Sequence, residues 1–232
     1  MMIVRVEVVR NIRIAMESKE LANRIDHTLL AYDANDDQLK QLCDEAIEFG
    51  FHTVCVNPIH VGLAVNHLKD SETKVITVIG FPFGYSETSA KVEETKKAIQ
   101  NGAEEIDLVV NTSAYRSGKR NYFINDIESV CIVSHLHNVP VKVIIESGPL
   151  SDEEIKDICQ ICVDCQAEYV KTSTGFNQSG ALVEDVALMR SVLPATTKIK
   201  ASGGIRTKED ALKMIEAGAD RLGCSSSVKI VS

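Results

Sequence analysis

A (β/α)8 TIM barrel is the fold this sequence predicts, and three observations predict it. From residue 25 onward, eight short β-branched runs alternate with segments of helical period. Sharing 232 residues among eight units leaves about 29 for each, enough for a strand, a helix and two turns. No proline-rich linker, low-complexity tract or charge block divides the chain. The alternative is a doubly wound open sheet, which more typically has five or six strands.

The runs are Ile25 to Leu30, His52 to Val56, Lys74 to Ile79, Glu105 to Val110, Val141 to Glu146, Glu168 to Thr172, Lys198 to Ala201 and Arg221 to Cys224. Most are apolar with little alternation, as suits strands covered by helices on one face and by layered side chains on the other. Between them the helices carry their own end signals. Ser151 with Glu154, and Thr207 with Asp210, have the spacing of capping boxes. Pro58 suits a first helical turn, while Gly50, Gly102 and Gly218 stand where a helix stops in a left-handed conformation. A weak repeat results: GFHTVCV at 50, GAEEIDLV at 102 and GADRLGC at 218 each read as helix stop, polar residues, then strand. QAEYVKT at 166 fills the same slot with Gln166 in place of glycine.

Residues 1–24 read as an N-terminal helical extension, with Val4, Val8, Ile12 and Ala15 on one stripe covering the barrel bottom. Residues 25–232 form the single barrel domain. Only eight residues follow Cys224, so the last helix is expected to be very short or absent.

Composition narrows the function. With 44% hydrophobic and 25% charged residues, the chain can build a large core. Its 25 Lys+Arg against 33 Asp+Glu give a formal net charge of -8, which argues against a general nucleic-acid or anionic-membrane binder. Any anionic ligand must be held by local groups. No apolar stretch approaches the roughly 18 residues that span a bilayer. Arg5, Glu7 and Arg10 break the N-terminal run before it could serve as a signal-peptide core, so a cytoplasmic location is expected. Seven cysteines, odd in number and scattered over helices and strands, fit reduced buried thiols better than a disulfide framework.

In a barrel of this kind the reacting groups lie at the C-terminal ends of strands, so charged residues inside strand runs are informative. Three stand out: Asp107 in EEIDLVV, Lys171 in EYVKTSTGF and Lys200 in TKIKASGGIR. Each alone reads equally well as a solvated strand end or a structural ion pair. Together they suggest nucleophilic chemistry. An amine attacks a carbonyl only when neutral, and a lysine of ordinary pKa is neutral in about one molecule in two thousand at pH 7. Burial disfavours the ammonium form, and a second cation nearby disfavours it further. Lys171 is therefore the candidate nucleophile, Lys200 the second cation, and Asp107 the acid/base acting through a water.

A second constellation follows the last two strands. Gly203 and Gly204 come after the seventh, and Ser225 and Ser226 after the eighth, where barrels commonly bind phosphate. Backbone N–H groups there can close around an anion, a short helix from Ser226 would add its dipole, and Arg206 its charge. A plain turn followed by a capping run is the bland alternative. Cys159, Cys162 and Cys165 resemble a metal motif, but their spacing puts them on one helix side with Ile155 and Ile158, so packing is the better reading and no metal is expected. His135 and His137 read as surface or cap residues. Cys55 and Asn57 end the second strand near the pocket, and the GFPFG loop from Gly80 to Gly84 either shapes the cavity wall or simply turns.

The strings IDHTLL at 25, CVNP at 55, GFPFG at 80, EIDLVVN at 105, KVIIESG at 142, YVKTSTGF at 169, KASGGIR at 200 and GADRLGCSS at 218 together resemble the deoxyribose-phosphate aldolases, a class I aldolase family. The match runs from about residue 21 to 227. The resemblance implies reversible cleavage of 2-deoxy-D-ribose 5-phosphate to acetaldehyde and D-glyceraldehyde 3-phosphate, without metal or organic cofactor, in deoxynucleoside catabolism. It implies Lys171 as the Schiff-base lysine, Lys200 as the second lysine and Asp107 as the aspartate of the proton relay. Asp26, Thr28 and Thr172 would belong to the substrate site, and Gly203, Gly204, Ser225 and Ser226 to the phosphate cradle. The partners implied are a phosphorylated sugar and an aldehyde, with no nucleic acid and no membrane. A homo-oligomer, dimer or tetramer, stays open.

The chain departs from the family pattern in three places. Ser147 stands where threonine is usual, and Gln166 replaces a turn glycine. Some members carry a C-terminal tyrosine that assists proton transfer, whereas this chain ends in VKIVS. Asp107, Lys200 and solvent are then expected to manage that step, at a lower turnover. Another imine-forming barrel, such as a transaldolase, is the nearest alternative. A non-catalytic sugar-phosphate binder would keep the cradle but have no need of a neutral lysine.

Overall fold

Eight parallel strands close on themselves in chain order in the computed structural model, which describes residues 18–177 and 179–232. The strands are β1 (Ile25–Leu29), β2 (Thr53–Val56), β3 (Lys74–Ile79), β4 (Glu105–Val109), β5 (Val141–Ile144), β6 (Tyr169–Lys171), β7 (Lys198–Ser202) and β8 (Arg221–Cys224). Between and after them lie α1 (Asp36–Phe49), α2 (Val61–Leu68), α3 (Thr88–Gln100), α4 (Thr112–Arg116), α5 (Arg120–His135), α6 (Asp152–Asp164), α7 (Val183–Val192), α8 (Lys208–Glu216) and α9 (Ser227–Val231). This is the expected (β/α)8 barrel, and its last helix is the expected short one.

Strand alternation divides the chain's apolar side chains between two cores. Val54, Val75, Ile106, Leu108, Val143, Val170, Ile199 and Leu222 face outward and join the helices in the main cluster. The inward side is split. Leu30, Cys55, Ile76 and Val78 make a small apolar cluster against β2 and β3, with Phe81 packed on it. The rest of the interior is lined with charge. In register, Asp107 of β4 lies beside Lys142 of β5, and Lys171 of β6 beside Lys200 of β7. The strands thus alternate more than expected, with ions rather than apolar residues at many inward positions.

Local signals act as the residues require. Ser151 with Glu154 and Thr207 with Asp210 both form reciprocal capping boxes, and Asn35 with Gln38 forms a third at α1. Gly50 ends α1 with φ 69. After α6, Gln166 takes the same left-handed conformation, φ 61, although a β-carbon disfavours it. The repeat therefore holds in geometry where it fails in sequence. Pro58 opens a 3-10 turn, Pro58–His60, ahead of α2.

Residues 18–22 are helical, and Leu21 and Ala22 are buried against the main cluster. The predicted stripe of Val4, Val8, Ile12 and Ala15 lies outside the described residues. The four cysteines Cys131, Cys159, Cys162 and Cys165 are buried free thiols. Burial pushes the thiols of Cys159 and Cys165 up, to about 12 and about 11, so both are protonated packing groups at neutral pH. Among the described residues no cluster of His, Cys, Asp and Glu is arranged to hold a metal, and no helix is long and apolar enough to cross a membrane.

Candidate active site

At the C-terminal end of the strands a cavity of about 340 Å³ opens between the loops after β6, β7 and β8. Lys171 forms part of its wall, together with Thr28, Thr174, Phe176, Gly203, Gly204, Arg206 and Ser225. A larger groove, about 880 Å³, lies at the opposite end beside Asn23, Gly50, His52 and Thr73. Those residues precede β1, β2 and β3, so the groove belongs to the face that rarely carries chemistry in such barrels. The smaller cavity is the one with a buried amine in its wall.

Beneath it lies a closed ionic network. Lys171 Nζ and Lys200 Nζ both donate to the same oxygen of Asp107, Oδ2, at 2.7 and 2.8 Å. Lys200 also contacts Asp26 Oδ2 at 2.5 Å, and Arg221 donates to Asp26 Oδ1 at 2.9 Å. Thr53 completes the shell of Asp26, its hydroxyl donating to Oδ1 at 2.7 Å. Lys142 lies 3.2 Å from Asp107 Oδ1 and pairs with Glu105. Lysines 171 and 200 are thus brought together, as expected, but they sit within a larger group that sequence reasoning missed. Lys142 carries the same signal as the three chosen residues, a charged side chain inside an apolar strand, whereas Glu105 and Arg221 are the first residues of β4 and β8.

Counting charges shows what the network asks of Lys171. Lys142, Lys171, Lys200 and Arg221 are four cations set among three carboxylates, Asp26, Asp107 and Glu105. All are buried, and uncompensated charge in a barrel interior is costly. A neutral amine on one lysine brings the set to balance. The environments select which. Burial pushes the Lys171 pKa down. Asp107 pulls it back and Lys200 depresses it again, leaving it below the ordinary lysine value. For Lys200, burial is outweighed by Asp107 and Asp26, which hold it charged. Lys142 is held charged likewise, by Asp107 and Glu105 against burial. Burial would raise Asp107, but Lys171, Lys200 and Lys142 keep it well below the usual carboxylate range. Burial is therefore the leading cause of the lowered Lys171 pKa, and Lys200 the supporting one.

The other expected site residues divide. Gly203, Gly204 and Ser225 line the cavity, as does Arg206. A side chain at Gly203 is disfavoured by its φ of 88 and by crowding, since a β-carbon there would lie 3.0 Å from Gly180 Cα. Thr28 is on the wall, its hydroxyl donating to Asp26 O at 2.8 Å. Asp26 is wholly buried below the wall, where it holds Lys200 and Arg221 in place. Thr172 differs from the expectation: its hydroxyl donates to Ser202 O and accepts from Ser202 N at 3.1 Å, clamping β6 to β7. Ser226 also differs. It caps α9 without a side-chain hydrogen bond and lies off the cavity wall. With α9 only one turn long, Gly203, Gly204, Ser225 and Arg206 are the cavity residues that could hold an anion.

Weaker candidates resolve as packing or surface groups. His135 pairs at 3.1 Å with Glu168 near the surface, and His137 is exposed. Cys55 belongs to the inner apolar cluster, and Asn57 ties its loop to Ala31 O at 3.1 Å. The GFPFG loop does shape the wall, for Phe81 meets Phe176 edge to face with ring centroids 5.1 Å apart.

Comparison with known proteins identifies the family. Residues 20–226 match the model of the DeoC/LacD family aldolases. A deoxyribose-phosphate aldolase of Caldicellulosiruptor saccharolyticus is 50% identical over 218 residues, covering 94% of this chain and 99% of the relative. One of Thermococcus kodakarensis is 49% identical, covering 93% of this chain and 97% of the relative. The solved tetrameric deoxyribose phosphate aldolase of Aeropyrum pernix superposes with a TM-score of 0.87 at 29% identity, over 94% of each chain. A matching family model over nearly the whole barrel, with relatives of this identity, leaves one assignment: this chain is a lyase belonging to the DeoC/LacD family of aldolases.

Proposed function

We propose that the chain cleaves 2-deoxy-D-ribose 5-phosphate reversibly to D-glyceraldehyde 3-phosphate and acetaldehyde, through a Schiff base on Lys171. The observation that carries this reading is the charge balance: four buried cations and three carboxylates are neutral as a set only when one lysine gives up its proton. Lys171 is the lysine on the cavity wall, and its pKa is lowered.

The neutral amine attacks the C1 aldehyde, and loss of water leaves an imine. Asp107, acting through a water, takes the proton of the C3 hydroxyl. The C2–C3 bond then breaks, releasing glyceraldehyde 3-phosphate and leaving an enamine whose electrons the imine nitrogen has accepted. Protonation at C2 and hydrolysis free acetaldehyde and the amine. Lys200 stays charged throughout and stabilises the carboxylate of Asp107. Asp26 keeps Lys200 in place. The phosphate lies against Gly203, Gly204 and Ser225, with Arg206 supplying positive charge. No metal or organic cofactor takes part. The substrate and its supply from deoxynucleoside breakdown suit a cytoplasmic enzyme, and self-association has a precedent in the tetramer of the Aeropyrum relative.

Incubation with acetaldehyde and borohydride, followed by peptide mapping, tests the covalent step. The expected result is one reduced adduct, on Lys171; an unlabelled Lys171 would refute the route. Ser225→Asp tests the cradle. A carboxylate a few Å from the phosphate repels it by roughly 2 kcal/mol, so KM for the phosphorylated sugar is expected to rise about 30-fold. KM for free deoxyribose should barely change. Equal effects on both sugars would place the phosphate elsewhere.

A further inference from the structure

Glu146, just after β5, is a residue that neither the cavity nor the ionic network uses. Its backbone is left-handed, φ 54, in a residue that rarely adopts that conformation. Its side chain is 5% exposed, and Oε1 is buried without a hydrogen-bond partner. The other oxygen, Oε2, accepts from both the backbone N and the hydroxyl of Thr174, at 3.2 and 2.7 Å. Backbone conformations of this kind persist where surrounding contacts hold them, often beside functional sites.

Thr174 is a wall residue three positions beyond Lys171. Its hydroxyl passes the constraint along by accepting from Phe176 N at 3.2 Å. Phe176, also on the wall, makes the edge-to-face contact with Phe81. The next residue on the β5 side repeats the clasp: Ser147 donates its hydroxyl to Asp185 Oδ2 of α7 at 2.6 Å and its amide to Thr172 O at 2.8 Å. From the β7 side, Gly203 O accepts from Ala181 N at 3.0 Å. The loop between β6 and α7 is therefore gripped on both flanks, and the grip from Glu146 lands on the segment that faces the substrate.

We infer that Glu146 is a positioning residue for the sugar-binding wall: its carboxylate fixes Thr174 and, through Thr174, Phe176, so that it governs binding of the phosphorylated sugar without touching it. This rests on the reading of Lys171 as the imine-forming lysine. It predicts a division between two measurements. Imine formation with acetaldehyde, which needs only Lys171 and its ions, should not depend on Glu146. Binding of the full sugar phosphate, which needs the wall, should.

Glu146→Gly adopts the left-handed backbone without steric strain and removes the side chain with its carboxylate. KM for 2-deoxy-D-ribose 5-phosphate is expected to rise about tenfold, the effect of losing charge-assisted hydrogen bonds, while borohydride trapping of acetaldehyde on Lys171 keeps its rate. Glu146→Gln, which still offers an acceptor to Thr174, should return KM to within about twofold of the parent. Thr174→Val deletes the hydroxyl donor at nearly constant shape and should raise KM as Glu146→Gly does, which keeps the test available should that variant fold poorly. An unchanged KM in Glu146→Gly or Thr174→Val, with trapping intact, would overturn the inference alone. An equal loss of trapping would overturn it too, by placing Glu146 behind the lysine and not the wall. Failure to trap the parent protein would sink the Lys171 reading and this inference with it.

Discussion

Replacing Lys171 with leucine is expected to abolish cleavage, by a factor on the order of 10⁴ or more, while leaving the barrel about as stable as before. The two halves of this result follow from the same charge count. If the amine is neutral at pH 7, leucine exchanges one uncharged side chain for another and removes only a hydrogen bond to Asp107. Lys200 and Lys142 still neutralise that carboxylate. Thermal unfolding should then move by a few degrees at most, since about 1 kcal/mol shifts a domain of this size by roughly 2–4 °C. A charged Lys171 gives a different outcome. Its removal would take away the one cation in excess of the three carboxylates, and the variant would be distinctly more stable than the parent. The pH dependence carries its own sign. Because the folded-state pKa of Lys171 is lowered, the unfolded chain holds a proton that the folded one lacks in the interval up to the ordinary lysine range. Stability contributed by this group therefore rises with pH across that interval, and the leucine variant should lose that slope. Paired denaturation curves over alkaline pH, together with kcat, check both halves. Residual turnover within tenfold of the parent would dismiss Lys171 as the nucleophile.

How far the sequence anticipated this site depends on how local each feature is. Asp107, Lys171 and Lys200 were readable because each is a charged residue flanked by strand-forming apolar ones, and side-chain alternation gives such a residue only two directions. Lys142 meets the same criterion between Val141 and Val143. Glu105 and Arg221 stand at strand starts, where a charge ordinarily meets solvent, and only closure of the barrel turns them inward against their partners. Neighbours in sequence also mislead. Thr172 and Ser226 each follow a residue that lines the cavity, yet the Thr172 hydroxyl bonds Ser202 and Ser226, at the N-cap of α9, is off the cavity wall. Glu146 had no local signal at all: its left-handed backbone is unusual for glutamate, and its partner Thr174 lies on the next strand's loop. The eight strands, in contrast, were legible to within a residue or two. Their bounds depend on short-range punctuation such as Gly50, Ser151 and Thr207, which acts within one turn.

Lys200→Met is expected to lower turnover at pH 7 by about 10²-fold, with the loss shrinking as pH rises. Two cations 4 Å apart at an effective dielectric constant of about 20 repel by some 4 kcal/mol, which limits the effect to roughly 10³-fold. Asp107 lies between the two amines and offsets part of that repulsion, so the smaller figure is expected. Without Lys200, Lys171 loses a like charge and is left to Asp107, both of which favour its ammonium form. More of the enzyme then carries a protonated, unreactive amine at pH 7. Raising the pH removes that proton and restores the rate. Lys200→Arg keeps the charge and should keep the pH profile, whatever it does to kcat through geometry. The methionine variant also strips Asp26 of one of its two cations, so it should lose about 3–5 kcal/mol of stability and be assayed well below its unfolding temperature. Profiles of kcat/KM against pH for the three proteins separate the possible roles. A loss that persists unchanged at high pH would mean that Lys200 delivers a proton instead of a field, and near-normal turnover at pH 7 would leave burial alone responsible for the reactivity of Lys171.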